Sequence, residues 1–291
     1  MALSSNTAGE DILLFASEIQ KRLQTDTCDA QVLYLDETTS LKLNSYLDQL
    51  PISTGASPPS HRRCLDNKGT ELWNTCTRRL ANDSDPATSG LLCKVKAFAW
   101  AMLDAAASSK SSGIFRVLET AYKLSKTCIE HELITISLKV IEAVAMRLDA
   151  LEHLETEVDG ARLRQCHVQY YMLRVHLAWL QGRPDIADHL YLKIPDTNTG
   201  DYCVLDVCYK VGSAALSGSY YALAAKWLGR GLKQCNLLAS AVEGVDMALR
   251  DKRLLLLHAL VRTNLHLDTH ESQANLARLL HDLRVVSRSM L

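Results

Sequence analysis

Residues 170–195 read YYMLRVHLAWLQGRPDIADHLYLKIP, and this stretch decides the fold. Apolar side chains recur every three or four positions on both sides of the Gly-Arg-Pro at 182–184, which predicts two amphipathic helices joined by a tight turn. The small Ala187 lets the second helix lie close against the first, and Tyr191 fills the space beneath it. Pro195 ends the unit, because a prolyl ring does not continue a helix. The stretch therefore predicts a helical hairpin.

The same arrangement recurs further along the chain. A second unit, Tyr209–Gly231, places Ala224 37 residues after Ala187, close to the ~34-residue period of the tetratricopeptide repeat (TPR). A third and looser copy pairs a helix around Leu254–Leu267 with one that carries Ala274, Ala277 and Leu280. Three units in series predict a right-handed α-solenoid of antiparallel helical hairpins. Such a fold presents a concave face that is suited to binding other polypeptides.

The composition predicts that the whole chain is all-α. Leucine occurs 49 times and alanine 31 times in 291 residues, against 13 glycines and 6 prolines. Leucine and alanine favour helices, whereas strands favour β-branched and aromatic residues. The prolines leave 87–183 and 196–291 without a helix-breaking ring, and no strand pattern is present.

The chain divides into three predicted regions. An acidic helical region covers residues 1–50, a linker rich in Pro, Ser and Gly covers 51–66, and the solenoid covers 67–291. We expect the solenoid to continue beyond this chain in the full-length protein, since solenoids need polar terminal repeats. The first region has helices from near Gly9 and from after Thr39. The solenoid helices are predicted at 67–81, 87–107, 113–128, 131–152, 160–181, 184–193, 201–217, 219–234, 245–267 and 271–289.

Charge and cysteine usage limit the environment and the partners. The charges of the 32 basic and 33 acidic side chains nearly cancel. The chain therefore lacks the large positive electrostatic potential that attracts nucleic acid. Nine cysteines without a framework are typical of a reducing compartment. The N-terminus lacks the basic segment of a signal peptide, and apolar runs such as Leu254–Leu257 are too short to span a bilayer. We therefore predict a soluble protein without sequence-specific nucleic-acid binding and without a membrane.

No pattern predicts catalytic, cofactor-binding or metal-binding residues. His266 and His270 have the spacing of a helical zinc pair, but Leu267 occupies the position of the catalytic glutamate, and the pair lies at a helix boundary. Cys128 and His131 share a predicted helix face without further ligands. Cys203 and Cys208 are five residues apart and do not face each other on a helix.

Two further patterns are assigned to packing. Gly229 and Gly231 lie inside a helical pattern and are predicted to ease close helix packing rather than to bind phosphate. The aromatic residues Tyr170, Tyr171 and Trp179 have helical spacing and are predicted to lie in the core rather than to form a binding platform.

Several strings resemble the meiotic Zip-four family of the ZMM group, which are TPR-like scaffolds. The stretches 69–80 (GTELWNTCTRRL) and 97–106 (AFAWAMLDAA) resemble the opening helices of that family, and 117–129 contains its A-x-K-x-x-x-x-C pattern. Later matches are R-x-x-L-A-W-L-Q-G within 170–193, A-x-K-W-L within 209–232, and LLLLHALVRTNLHLD at 254–268. The resemblance is collinear over about residues 65–285.

The resemblance implies a nuclear, meiosis-specific protein on meiotic chromosomes. Family members support crossover recombination and synaptonemal complex assembly by holding other ZMM proteins and chromosome-axis components together. They are longer than this chain, and they carry no catalytic residues to transfer. The implied function is therefore a non-enzymatic scaffold without a cofactor.

Two other functions remain open from the sequence. A general cytosolic TPR adaptor would bind peptide segments of partners, for example acidic tails held by several positive side chains. A metal- or cysteine-dependent hydrolase would require ligands or a histidine base brought together by the fold.

Overall fold

The chain folds into helices throughout the part that the structure describes. The computed structural model describes residues 4–25, 35–52, 58–82, 85–108, 110–153, 159–195, 200–241, 246–267 and 269–288. The helices are α1 (Ser4–Thr25), α2 (Glu37–Asp48), α3 (Pro59–Asn82), α4 (Pro86–Ala106), α5 (Ser111–Glu130), α6 (Ile134–Glu152), α7 (Gly160–Leu180), α8 (Pro184–Tyr191), α9 (Tyr202–Ser217), α10 (Tyr221–Ala241), α11 (Met247–Leu267) and α12 (His270–Arg288).

The prediction of an all-α chain is confirmed, since the described ranges contain helices and no strand. The right-handed solenoid of TPR-like hairpins and the division at 51–66 stay predictions. One boundary differs clearly, because α3 begins at Pro59, inside the predicted linker, rather than at residue 67. Proline suits the first helical position, where no N–H has to be bonded within the helix.

The helices form two compact units, residues 1–166 and 167–291. In the first unit, α4 is the central helix and packs against α2, α3 and α5. It is almost entirely buried, with Phe98 and Trp100 among the largest enclosed side chains. Gly69 of α3 permits the close approach, since a Cβ there would lie 3.0 Å from the Ala99 carbonyl oxygen. The long run of small and apolar residues in α4 therefore forms the core of this unit.

Polar contacts tie the helices of the first unit together. The indole N–H of Trp100 donates to the Val117 carbonyl at 3.3 Å, which links α4 to α5. Asp104 is buried on α4 and pairs with Arg147 of α6, whose Nε lies 2.8 Å from a carboxylate oxygen. Arg147 also donates to the Asp104 carbonyl at 2.8 Å. The buried carboxylate thus has both a counter-ion and directed hydrogen bonds.

In the second unit, α9 and α10 run antiparallel. A Cβ on Gly212 would lie 2.6 Å from Leu228 Cγ, so the two helices touch at this point. At the other end, the Asp201 N–H donates to the Gln234 side-chain oxygen at 3.2 Å. Residues nearer the start of α9 therefore lie beside residues nearer the end of α10, so the two helices run in opposite directions. The glycine at 212 is what allows this close pair.

Helix α11 packs against α9, α10 and α12. Cys235 of α10 contacts the Leu249 carbonyl near the start of α11, and the Tyr221 ring stacks on His266 near its end, with centroids 4.5 Å apart. These contacts make α10 and α11 antiparallel too. On the other side, Arg250 donates to the Val286 carbonyl of α12 at 3.2 Å.

The pairing of α11 with α12 agrees with the third predicted repeat, but the three residues quoted for its second helix do not form the contact. Ala274 and Ala277 are exposed, and Leu280 is exposed on 38% of its surface. The helix instead turns Leu279 and Val286 into the core. The predicted pairing of these two helices is therefore present, and α12 makes it through residues other than the three quoted for the repeat.

Aspartates precede several helices and cap their first turns, although no helix start was predicted from them. The carboxylates of Asp36, Asp85, Asp159, Asp201 and Asp246 accept hydrogen bonds from backbone N–H groups in the first turns of α2, α4, α7, α9 and α11. These bonds satisfy donors that have no partner within the helix. The bond from the Thr88 N–H lowers the pKa of Asp85, because it favours the charged carboxylate. The pKa of Asp246 is lowered chiefly by a hydrogen bond from the Tyr202 hydroxyl, and then by the bond from the Leu249 N–H.

Candidate functional site

The predicted hairpin at 170–195 has its turn at Gly182 and a buried alanine at Ala187, as the sequence indicates. Gly182 has a φ of +71°, a left-handed conformation that suits glycine, at the turn between α7 and α8. Ala187 is fully buried. Tyr191 packs edge-on against Trp227 of α10 with ring centroids 5.4 Å apart.

Arg230 fastens α8 to α10 beside that ring pair. Its guanidinium lies 3.9 Å from the Tyr191 ring centroid and 4.5 Å from that of Trp227. It also pairs with Asp188 at 2.7 Å, and Lys226 pairs with the same carboxylate at 2.7 Å. Two of the three cations of α10 are thus engaged by α8, which leaves Lys233 as the one without an ion pair among the described residues.

The two glycines of α10 have different surroundings. A Cβ on Gly231 would lie 3.0 Å from a Leu256 methyl group of α11, which confirms that this glycine eases close packing. A Cβ on Gly229 would have no atom within 4 Å among the neighbours considered. The prediction was therefore wrong for Gly229, because a side chain there would meet open space rather than a packed helix.

Gly229 faces a groove between α10, α11 and α12, which we call the α10–α12 groove. It has a volume of about 490 Å³ and eleven lining residues. They are Ala225, Gly229, Leu232, Lys233, Asn236 and Leu237 of α10, Leu260 and Asn264 of α11, and Asn275, Arg278 and Leu279 of α12. Its base is apolar, since Leu260 and Leu279 are each only 5% exposed.

Polar groups surround this apolar base. Asn264 is buried and donates to the Leu260 carbonyl at 2.8 Å, which fixes its amide. Asn275 accepts from Arg278 at 3.2 Å. Three asparagines and two cations line the groove, without an acidic residue. Sequence reasoning missed this site because its residues come from three helices and have no common spacing.

The helices around the groove are strongly basic. Between them α10, α11 and α12 carry ten lysines and arginines and three acidic residues. The near-neutral charge of the whole chain conceals this local excess. A positive groove with an apolar base favours an acidic ligand that also has apolar side chains.

Six of the described cysteines are buried thiols. Burial raises the pKa of the Cys76, Cys128 and Cys208 thiols to about 12, and those of Cys93 and Cys166 to about 11. These thiols are therefore protonated at neutral pH, whereas nucleophilic cysteines react as thiolates. Cys203 is half-buried and Cys208 is buried, so the pair does not form a matched surface site.

The histidine patterns are separated by helix ends. His266 lies in the last turn of α11, and His270 begins α12, so the spacing of four residues does not place them on one helix face. Of the predicted boundary residues, Thr269 precedes α12 and Asp268 lies outside the described residues. His131 follows the end of α5, whereas Cys128 is buried within that helix. Within the ranges described above, no group of three or more metal-ligating side chains is present.

The predicted aromatic stripe lies at the edge of the core. Tyr171 and Trp179 are partly buried and pack against the hydrophobic cluster of α7, α8 and α9. Tyr170 stacks edge-on with Tyr171 at 5.2 Å and receives the Arg174 side chain. The two inner rings confirm the prediction of a core role.

Comparison with known proteins identifies one family. Residues 177–289 match the model of the family described as "Meiosis protein SPO22/ZIP4 like". This confirms the resemblance to the meiotic Zip-four family over a segment that includes all lining residues of the α10–α12 groove. The stretches at 69–80, 97–106 and 117–129, which also resemble the Zip-four family, lie outside the matched residues. No curated protein and no solved structure matches the chain. Among the described helices, none is both long and apolar enough to cross a membrane.

Proposed function

We propose, from the similarity of residues 177–289 to the SPO22/ZIP4-like meiosis family, that this protein is a non-enzymatic scaffold in meiosis. The family match is the observation that carries the proposal. The protein supports crossover recombination and synaptonemal complex assembly by binding other ZMM-group proteins, synaptonemal complex proteins or chromosome-axis components. It acts in the nucleus on meiotic chromosomes.

The structure supports a binding role through its surfaces rather than through reactive groups. Helices α9 and α10, and likewise α10 and α11, pair antiparallel, as expected for a TPR-like solenoid, and α9 also touches α11. Stacked helical pairs of this kind offer long grooves lined by side chains from several helices. The buried thiols of Cys76, Cys128 and Cys208 are protonated at neutral pH, whereas a nucleophilic cysteine acts as the thiolate.

Affinity purification from cells in meiotic prophase tests this function. We expect the tagged protein to co-purify with crossover or synaptonemal complex proteins, and to localise to meiotic chromosomes by immunofluorescence. Recovery of cytosolic partners alone, with equal expression in vegetative cells, would instead identify a general TPR adaptor. Stoichiometric zinc in the purified protein, measured by elemental analysis, would favour the hydrolase alternative.

A further inference from the structure

We infer that the α10–α12 groove binds an acidic segment of a partner protein in an extended conformation. The inference rests on the proposed scaffold function and specifies where one partner binds and by what chemistry. It depends on three features of the groove: its open base, its amides and its charge.

The base of the groove gives a peptide room to come close. Gly229 and Ala225 place almost no side chain on the wall formed by α10, and the space in front of Gly229 is empty to at least 4 Å. Leu260 and Leu279 form an apolar surface beneath. Apolar side chains of a bound segment would lose their contact with water here, which supplies affinity.

The amides favour an extended chain over a helix. An asparagine side chain has an oxygen acceptor and two N–H donors, so it is complementary to a peptide group. The N–H and C=O groups of an extended segment are free to pair with such side chains, whereas those within a helix are already bonded to each other. Asn236, Asn264 and Asn275 supply amides from three different helices. Because Asn264 donates to Leu260 and Asn275 accepts from Arg278, these two would meet a peptide chiefly with the Asn264 oxygen and the Asn275 N–H groups.

The charge favours an acidic segment. Lys233 and Arg278 line the groove on opposite helices, and neither forms an ion pair with a described residue. The other two cations of α10 already pair with the Asp188 carboxylate. A partner carboxylate is therefore the counter-ion that the groove lacks.

A substitution that fills the groove tests whether a peptide binds there. The probe is a fluorescein-labelled peptide built from Glu-Leu-Asp repeats, and its binding to the purified chain is measured by fluorescence anisotropy. The Cβ of Gly229→Leu meets no neighbour within 4 Å, and the rest of the side chain extends into the groove. Circular dichroism and urea denaturation check that the variant is folded. We expect it to weaken binding roughly tenfold or more. Gly90→Leu is the matched control, because Gly90 of α4 also has open space around it. It should leave binding unchanged.

Charge reversal tests the chemistry of recognition. Lys233→Glu and Arg278→Glu should each weaken binding of the acidic peptide, and the wild-type affinity should fall as salt rises. Lys126→Glu, at an exposed position of α5, is the charge-matched control and should have little effect. A neutral peptide of Gln-Leu-Asn repeats should bind more weakly than the acidic one.

Three results would overturn the inference. The first is no binding of the acidic peptide, and the second is equal weakening by Gly229→Leu and Gly90→Leu. The third is tighter binding of single-stranded DNA that is lost in the Gly229→Leu variant, which would identify a nucleic acid as the ligand. None of these results bears on meiotic co-purification or chromosome localisation, so failure of the groove and failure of the scaffold function are distinguishable.

Discussion

Gly212 and Gly229 are both helical glycines of the second unit, yet their surroundings predict opposite responses to the same substitution. In Gly212→Ala, the new methyl group would lie 2.6 Å from Leu228 Cγ and 3.0 Å from the Leu228 backbone nitrogen. Such overpacking costs about 1–3 kcal/mol, of which the better helix propensity of alanine returns up to about 1 kcal/mol. We expect a net loss of unfolding free energy, measured by urea denaturation.

Gly229→Ala is the matched comparison. Its methyl group meets no neighbour within 4 Å, so only the helix propensity changes and the protein gains about 0.5–1 kcal/mol. Equal effects of the two substitutions would contradict the close α9–α10 contact at Gly212.

His176 makes the stability of the second unit depend on pH. Burial, and to a lesser extent Lys210, lowers the pKa of His176 from its ordinary 6.5 to about 4. Between these values the unfolded chain binds a proton that the folded chain does not, so stability falls as pH falls from about 6.5 to about 4. At pH 5 the loss is about 2 kcal/mol relative to pH 7.5, and urea denaturation at both values measures it.

His176→Gln should reduce this pH dependence, because glutamine does not titrate. His153→Gln is the control, since the His153 side chain is 75% exposed at the end of α6. If His176→Gln retains the full loss between pH 7.5 and pH 5, another group causes it.

At the scale of the helices, the cap of α9 offers a direct test of what starts an element. Asp201 accepts hydrogen bonds from the Cys203 and Val204 N–H groups at 2.6 Å and 3.3 Å. Removing the acceptor in Asp201→Ala should cost about 1 kcal/mol and speed amide exchange at these two positions. Asn is nearly as good a cap, so Asp201→Asn should retain most of the stability. A similar loss in both variants would assign the role of Asp201 to its charge.

The helices could be predicted from the sequence because their breaks are marked locally. Gly182 and Pro184 end one helix and begin the next, as the hairpin pattern requires. Which residues of α12 pack was not predicted, because Ala274, Ala277 and Leu280 marked the repeat while Leu279 and Val286 enter the core. The start of α3 was missed because Pro59 was read as linker composition, although proline is also suited to a first helical turn.

At the scale of the whole molecule, the groove is where sequence reasoning was least informative. Its lining residues are drawn from three helices over residues 225–279, and their proximity follows from packing rather than from spacing. The basic excess of these helices is balanced elsewhere along the chain, so the net charge of −1 gave no indication of it. Gly229, which was predicted to ease helix packing, instead lines the groove and leaves open space there.

Meiotic cells provide the test that joins the groove to the proposed function. If an acidic segment of a partner binds beside Gly229, full-length protein carrying Gly229→Leu should accumulate normally but support fewer crossovers than wild type. The Cβ of the substituted residue meets no neighbour within 4 Å, and leucine favours the helix. Normal accumulation of the variant, measured by immunoblot, separates loss of binding from loss of folding. Gly90→Leu should retain wild-type crossover numbers, counted as crossover foci on spread chromosomes. Normal crossovers in Gly229→Leu cells, with peptide binding abolished in vitro, would show that the groove does not serve crossover formation.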